Sequence, residues 1–204
     1  MVVHWIPLLC GLLFGLIPPK LLITSECRYM RFEGLWNRLT NPTKTKQRRR
    51  RWWKLPLVWI DPIRGYFVAD QLCDSFHAST TATGAQLALP LVATFITLWV
   101  VLWIQTCGRQ LQDETLSPTG FLGGMMVAML PLVVALSAIA LGASTAVVMK
   151  RFAAGYFIAV MATAGIGFLF LKTSPWLAVY SLLVAAPLII AWIRRSSLVM
   201  PVRC

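Results

Sequence analysis

Charged side chains are scarce in this 204-residue chain, and acidic ones are scarcer than basic ones. Only 13% of the residues are charged, with seven Asp and Glu against nineteen Lys and Arg, and there are two histidines. Hydrophobic residues make up 58% of the chain. A soluble fold of this composition would have too little polar surface to cover itself, whereas a helical bundle can turn apolar side chains toward lipid. The composition therefore predicts an integral membrane protein.

Five apolar stretches are candidates for membrane-spanning helices. A hydrocarbon layer of about 30 Å requires about 20 residues of helix. The candidates are 2–17, 87–107, 121–149, 153–171 and 176–193, and the last four contain no Asp, Glu, Lys, Arg or His. The first is the shortest, but no basic residue precedes it and no small-residue cleavage site follows, so we interpret it as a retained helix and not as a signal peptide.

These stretches predict an all-α integral membrane protein with about five transmembrane helices, or four without the first, and one cytoplasmic interfacial helix. The predicted units are a first transmembrane helix over 1–25, a basic cytoplasmic or interfacial segment over 26–85, a four-helix transmembrane bundle over 86–195 and a cytoplasmic tail over 196–204.

The positions of the basic residues predict the orientation. Eleven of the nineteen Lys and Arg residues lie between Glu26 and Gly65, and cytoplasmic loops carry an excess of such residues. We therefore expect the N-terminus outside, 26–85 and 150–151 in the cytoplasm, 108–119 and 172–175 outside, and a cytoplasmic C-terminus. The expected location is a bacterial cytoplasmic membrane.

A cluster of arginines and tryptophans marks the basic segment. Anionic headgroups attract cations by about 1 kcal/mol each, and Trp rings prefer the headgroup region. We predict contact with anionic lipid or with a partner subunit for Lys44, Lys46, Arg48, Arg49, Arg50, Arg51, Trp52, Trp53, Lys54 and Trp59. The arginines also have a simpler interpretation, which is that they only set the topology. Nucleic acid is not an expected partner, because the segment lacks a recognisable nucleic-acid-binding fold.

A helix near 62–76 is predicted after Asp61 and Pro62, which are favourable residues at a helix start. Apolar residues occur on several of its sides, and we expect it to lie at the membrane interface or against another protein. Asp70 and Asp74 are four residues apart and share one face. They are weak candidates for a divalent metal site, and the simpler interpretation is that they balance the arginine-rich stretch.

A metal-dependent lipid-headgroup enzyme would use these carboxylates. The order of Asp61, Arg64, Asp70 and Asp74 resembles part of the motif of alcohol-phosphatidyl transferases, which use such carboxylates to hold a divalent ion and a lipid diphosphate. The motif's Asp-Gly, Ala-Arg and spacer glycine have no counterparts here, so we interpret the similarity as chance and expect no enzyme activity.

No cofactor is predicted. His4 and His77 are expected on opposite sides of the membrane, which excludes a shared metal site within one chain, and His4 is the one histidine placed for haem or pigment ligation. The five cysteines form no C-x-x-C pattern, and we expect no structural disulfides. The predicted spans lack ionisable groups, which argues against a proton relay or a path for a charged solute.

Small residues in the spans predict close packing between helices. The glycines expected to allow it are Gly120, Gly124, Gly142, Gly155, Gly165 and Gly167. The sequence thus predicts a hydrophobic bundle whose cytoplasmic side carries a segment rich in arginine and tryptophan. This profile favours an accessory or scaffolding subunit of a larger membrane complex. A small channel or transporter for a neutral or lipid-like solute is the main alternative.

Overall fold

The computed structural model describes residues 1–17, 29–31, 56–79, 86, 88–107, 110–111, 114–172 and 174–203. Within them lie seven helices: α1 (Trp5–Leu16), α2 (Pro56–Cys73), α3 (Leu89–Cys107), α4 (Thr119–Met129), α5 (Leu132–Met149), α6 (Phe152–Leu171) and α7 (Pro175–Ile193). α3, α5, α6 and α7 are long and apolar enough to cross a membrane, and α1 and α4 are shorter apolar helices. The predicted multi-helix membrane fold is confirmed.

Short strands join the loops at the ends of the helices. They are β1 (Val2–Val3), β2 (Tyr29–Arg31), β3 (Phe76–His77), β4 (Gln110–Leu111), β5 (Glu114–Leu116), β6 (Ser197–Val199) and β7 (Pro201–Arg203). β1 pairs antiparallel with β3, and β2 pairs antiparallel with β7. β5 lies between β4, which is antiparallel to it, and β6, which is parallel to it.

α1 and α2 run antiparallel along each other. At one end the amide nitrogen of His4 donates a 2.9 Å hydrogen bond to the carbonyl of Ser75, just after α2. At the other end the guanidinium of Arg64 donates a 3.1 Å bond to the carbonyl of Ile17, just after α1. With eighteen residues, α2 is about 27 Å long. Ile17 and the start of α2 therefore lie toward the same end of the bundle.

One face of α2 lies in the bundle core, and its other face is exposed. Val68, Ala69 and Leu72 have no exposed surface and belong to the main hydrophobic core with Leu98 of α3 and Phe121 of α4. The prediction from sequence differs, since it placed a helix near 62–76 on the membrane surface. Apolar residues on several sides of the helix suggested that location, but in the structure those on one face fill part of the core, and Arg64 is paired inside the protein.

The predicted span 121–149 is two helices. Leu130 is extended, with φ −113° and ψ 153°, and Pro131 follows with ψ 135°. Proline lacks the amide donor that a helix interior requires, and it disfavours helical backbone in the residue before it. α4 and α5 are therefore separate helices, and the chain reverses direction between them.

The last three helices are antiparallel neighbours. A Cβ on Gly142 of α5 would meet Ala159 of α6, and a Cβ on Gly155 would overlap the carbonyl of Gly142. The hydroxyl of Tyr156 in α6 donates a 2.6 Å bond to the carbonyl of Val184 in α7. The backbones of α5 and α6 therefore approach closely, and Phe152 lies level with the C-terminal part of α7.

These contacts define two ends of the bundle. The basic end contains Ile17, Asp61, Gln105, the start of α4, the α5–α6 turn and the C-terminal strands. The histidine end contains His4, Ser75, His77 and the α6–α7 turn. Of the eight Lys and Arg residues in the described part of the chain, seven lie at the basic end (Arg31, Arg64, Lys150, Arg151, Arg194, Arg195 and Arg203), and Lys172 lies at the other.

Two loops lie at a different end of the bundle from the one predicted, when the α5–α6 turn is taken as the reference. The loop holding β4 and β5 was expected opposite Lys150 and Arg151, and it lies at the same end because β5 pairs with β6. The residues after Cys73 were expected beside that turn, and they lie at the histidine end. Both differences arise because α2 runs through the bundle and Pro131 divides the third predicted span.

Candidate functional site

Arg64 is a buried cation in the interior of the bundle. Its side chain is 4% exposed, and one guanidinium nitrogen lies 3.6 Å from a carboxylate oxygen of Asp61, one helical turn earlier in α2. The guanidinium also donates a 2.7 Å bond to Oε1 of Gln105 and stands 5.1 Å from the centre of the Phe121 ring. A buried charge is costly unless it is paired and hydrogen-bonded. These partners supply that compensation.

Gln105 connects Arg64 to the end of α1. It is fully buried near the C-terminus of α3, and its Nε2 donates bonds to the carbonyls of Gly15, at 2.6 Å, and Ile17, at 3.0 Å. The amide therefore accepts from Arg64 on one side and donates to α1 on the other. Asp61, Arg64 and Gln105, called the Arg64 cluster below, bring three helices together at one point.

Two helix ends of opposite polarity meet the Arg64 cluster. The C-terminal carbonyls of α1 carry partial negative charge and accept from Arg64 and Gln105. The N-terminus of α4 carries partial positive charge, and Gly120 in its first turn lies against Asp61, close enough for a Cβ there to meet the Asp61 Cβ at 3.3 Å. The cation thus faces the negative helix end, and the carboxylate lies near the positive one.

Sequence reasoning missed this cluster. Gln105 was part of a stretch treated as uniformly apolar, because only fully ionisable residues were counted. Arg64 was considered only as a companion of the carboxylates. The available signals were the i, i+3 spacing of Asp61 and Arg64 and the presence of an amide side chain in a predicted span. The contact between Arg64 and Gln105 joins residues 41 positions apart.

The Arg64 cluster can hold together the two points at which the basic segment joins the bundle. Ile17 is the last described residue before that segment, and α2 begins where the chain returns, so Arg64 joins its two attachments directly. At the same end, the guanidinium of Arg194 lies 5.6 Å from the centre of the Trp103 ring. β2, from within the segment, pairs with β7 near the C-terminus.

Most of the predicted lipid or partner contacts, from Lys44 to Lys54, lie outside the described residues. Trp59 is in the first turn of α2 and is 56% exposed. The chemistry predicted for the arginines and tryptophans therefore remains a prediction, and the structure supplies the position of the bundle end to which they are attached.

Asp70 and Asp74 do not share a site with Arg64. Both are exposed, and they lie in the second half of α2 and just beyond it, toward the histidine end. Within the described ranges, no three His, Cys, Asp or Glu side chains form a group that could hold a metal ion. The order of charged residues that resembled an enzyme motif is thus divided between two ends of the bundle.

His4 and His77 lie side by side at the histidine end. Their ring centres are 4.9 Å apart and the ring planes are inclined by 50°. The prediction that they lie on opposite sides of the membrane is wrong. It followed from placing α2 on the surface, whereas α2 returns the chain from the basic end to the end where α1 begins.

The six glycines singled out from the sequence have different surroundings. Gly120 and Gly124 face α2, Gly142 and Gly155 face each other across α5 and α6, and Gly167 faces Leu177. At Gly165 a Cβ would meet nothing within 4 Å. The close approach of α2 and α4 also depends on Gly65, where a Cβ would overlap the carbonyl of Phe121. Gly65 was missed because it lies between polar and aromatic residues.

An apolar crevice separates α4 from α7. It is narrow, and its lining includes Met125, Met126, Met129, Tyr180 and Leu183. The exposed surface of this lining is apolar. The crevice offers no charged group for a solute path, and its methionines are the flexible side chains that fill irregular spaces between helices.

No family model, curated protein or solved structure matches the chain. The features of this chain that bear on function are its charge distribution, the Arg64 cluster and the sequence of the basic segment.

Proposed function

We propose that this protein is an accessory or scaffolding subunit of a larger membrane complex, and that its basic end binds anionic lipid headgroups or an acidic surface of a partner subunit. The observation that carries the proposal is the gathering of basic residues at one end of the bundle. The part of the chain with ten Lys and Arg residues between Glu26 and Lys54 is attached at that end.

The Arg64 cluster supports this role by keeping the two attachments of the basic segment together. A long segment whose ends are fixed close to each other on a rigid bundle has fewer conformations than a free tail. Less conformational entropy is then lost when its arginines and tryptophans bind a surface. The cluster is in this way a structural support for a recognition segment.

The basic end is proposed to face the cytoplasm, since Lys and Arg accumulate on that side of membrane proteins. The N-terminus and the histidine end are then outside, and the C-terminus is cytoplasmic. The anionic inner leaflet lies directly against the proposed binding segment, as it would in a bacterial cytoplasmic membrane.

Native mass spectrometry after gentle detergent extraction tests the scaffolding role. The expected result is a stoichiometric complex of this chain with other membrane subunits, carrying bound anionic lipid. Recovery of a lone monomer from the membrane in which the protein normally resides, in several mild detergents, would contradict the proposal.

Replacing Arg48, Arg49, Arg50 and Arg51 together by Gln tests the binding segment. Because each cation near an anionic surface contributes about 1 kcal/mol, four changes should lower the affinity for anionic lipid or partner roughly 10³-fold. The matched control replaces the same four residues by Lys, which keeps the charge and should keep the binding. Equal retention by the Gln and Lys variants would show that the arginines serve topology alone.

A further inference from the structure

The chain has two histidines, and the fold brings them together. They are 73 positions apart in the sequence, and their ring centres are 4.9 Å apart at the histidine end. His4 immediately precedes α1, and His77 ends the strand that follows α2. Neither residue belongs to the Arg64 cluster or to the stretch between Glu26 and Gly65 that contains eleven Lys and Arg residues.

The backbone around both histidines is fixed by hydrogen bonds. The His4 amide donates to the Ser75 carbonyl at 2.9 Å, and Val2 pairs with His77 in the antiparallel ladder of β1 and β3. Both side chains are exposed. The imidazoles are therefore held on adjacent backbones, and dissolved ions can reach them.

The ring separation matches chelation of one metal ion. With metal–nitrogen bonds of about 2.0–2.1 Å and an angle between about 90° and 110° at the metal, two imidazole rings have centres roughly 4.5–5.2 Å apart. The observed 4.9 Å lies within this range. The distance between the two rings is therefore the distance expected for two imidazoles that bind one ion.

We propose that His4 and His77 form a two-imidazole binding site for a divalent transition-metal ion such as Zn²⁺ or Ni²⁺. Within the described residues no third His, Cys, Asp or Glu completes a group with them, so water fills the other coordination positions. Bound metal joins the start of α1 to the end of α2. Nitrogen ligands select these ions over Mg²⁺, which takes oxygen ligands.

Isothermal titration of the detergent-solubilised full chain with Zn²⁺, Ni²⁺ and Mg²⁺ tests the site, using a C-terminal affinity tag free of histidine. One Zn²⁺ or Ni²⁺ ion should bind per chain, and Mg²⁺ should give no binding. Loss of even an outer-shell partner costs about 10- to 100-fold in metal affinity, so His4→Gln and His77→Gln should each weaken binding by at least about tenfold. Asp70→Asn, an exposed change toward the same end, should leave the affinity unchanged.

Imidazole NMR signals of the same protein give a second measurement, because two histidines produce an uncrowded spectrum. Zn²⁺ should shift or broaden the signals of both rings together. Absence of Zn²⁺ binding by the correctly folded wild-type chain would show that the rings form only a stacked pair. Binding that survives unchanged in both histidine variants, or that is lost in Asp70→Asn, would equally overturn the proposal.

Discussion

At the scale of single residues, Arg64 is the feature on which the arrangement of the basic end depends. Its guanidinium is paired with Asp61, bonded to Gln105 and bonded to the carbonyl of Ile17. The i, i+3 spacing of Asp61 and Arg64 was visible in the sequence. The bonds of Arg64 to Gln105 and to the Ile17 carbonyl were not, because they join residues 41 and 47 positions apart.

Replacing Arg64 by Met should lower the free energy of unfolding by about 3–5 kcal/mol, the usual cost of removing one partner of a buried ion pair. The variant leaves Asp61, Gln105 and the Ile17 carbonyl without the cation. Denaturation of the purified protein in mixed detergent micelles would measure the change.

The matched control for this variant is Arg151→Met, the same substitution at an exposed position of the basic end. Surface changes of this kind usually alter stability by no more than about 0.5 kcal/mol. Equal stability of the two variants would contradict the role assigned to Arg64.

At the scale of helices, the sequence predicted the long apolar elements well and the interruptions poorly. α3, α6 and α7 lie within a few residues of their predicted bounds, because uncharged stretches of this length have few alternatives in lipid. The sequence did not show that one face of α2 packs against α1, α3 and α4, because those contacts join residues far apart in the chain. The break at Pro131 was hidden inside a continuous apolar stretch, although proline there cannot donate the backbone bond that a straight helix needs.

The crossing of α2 and α4 gives a prediction at this scale. Gly65→Ala should lower the free energy of unfolding by about 1–3 kcal/mol, because the added methyl overlaps the Phe121 carbonyl and forces the helices apart. The same detergent denaturation would measure it.

Gly123→Ala is the control on α4, since a Cβ there meets nothing within 4 Å. The variant should be neutral or more stable by up to about 1 kcal/mol, because alanine is a better helix former than glycine. A loss of stability at Gly123 as large as at Gly65 would indicate that close packing is not what requires the glycine.

At the scale of the whole molecule, the bundle has one basic end and one end that carries both histidines. The sequence predicted the membrane class and the concentration of cations. The sides of individual loops were not all predicted correctly. A helix that crosses the bundle unrecognised reverses the predicted side of each loop after it, and here the second such error, at Pro131, restores the later sides. In the structure, Lys172 is the one described Lys or Arg away from the basic end. This distribution agrees with the accumulation of cations on one membrane face better than the loop sides predicted from the sequence do.

Cysteine accessibility in oriented vesicles tests the two-ended arrangement most directly. Single cysteines would be placed at Ser79, Glu114 and Lys150 of a chain whose five native cysteines are replaced, and labelled with a membrane-impermeant maleimide. Glu114→Cys should react from the same side as Lys150→Cys, and Ser79→Cys from the opposite side. Labelling of Ser79→Cys together with Lys150→Cys, with Glu114→Cys on the other side, would contradict the arrangement.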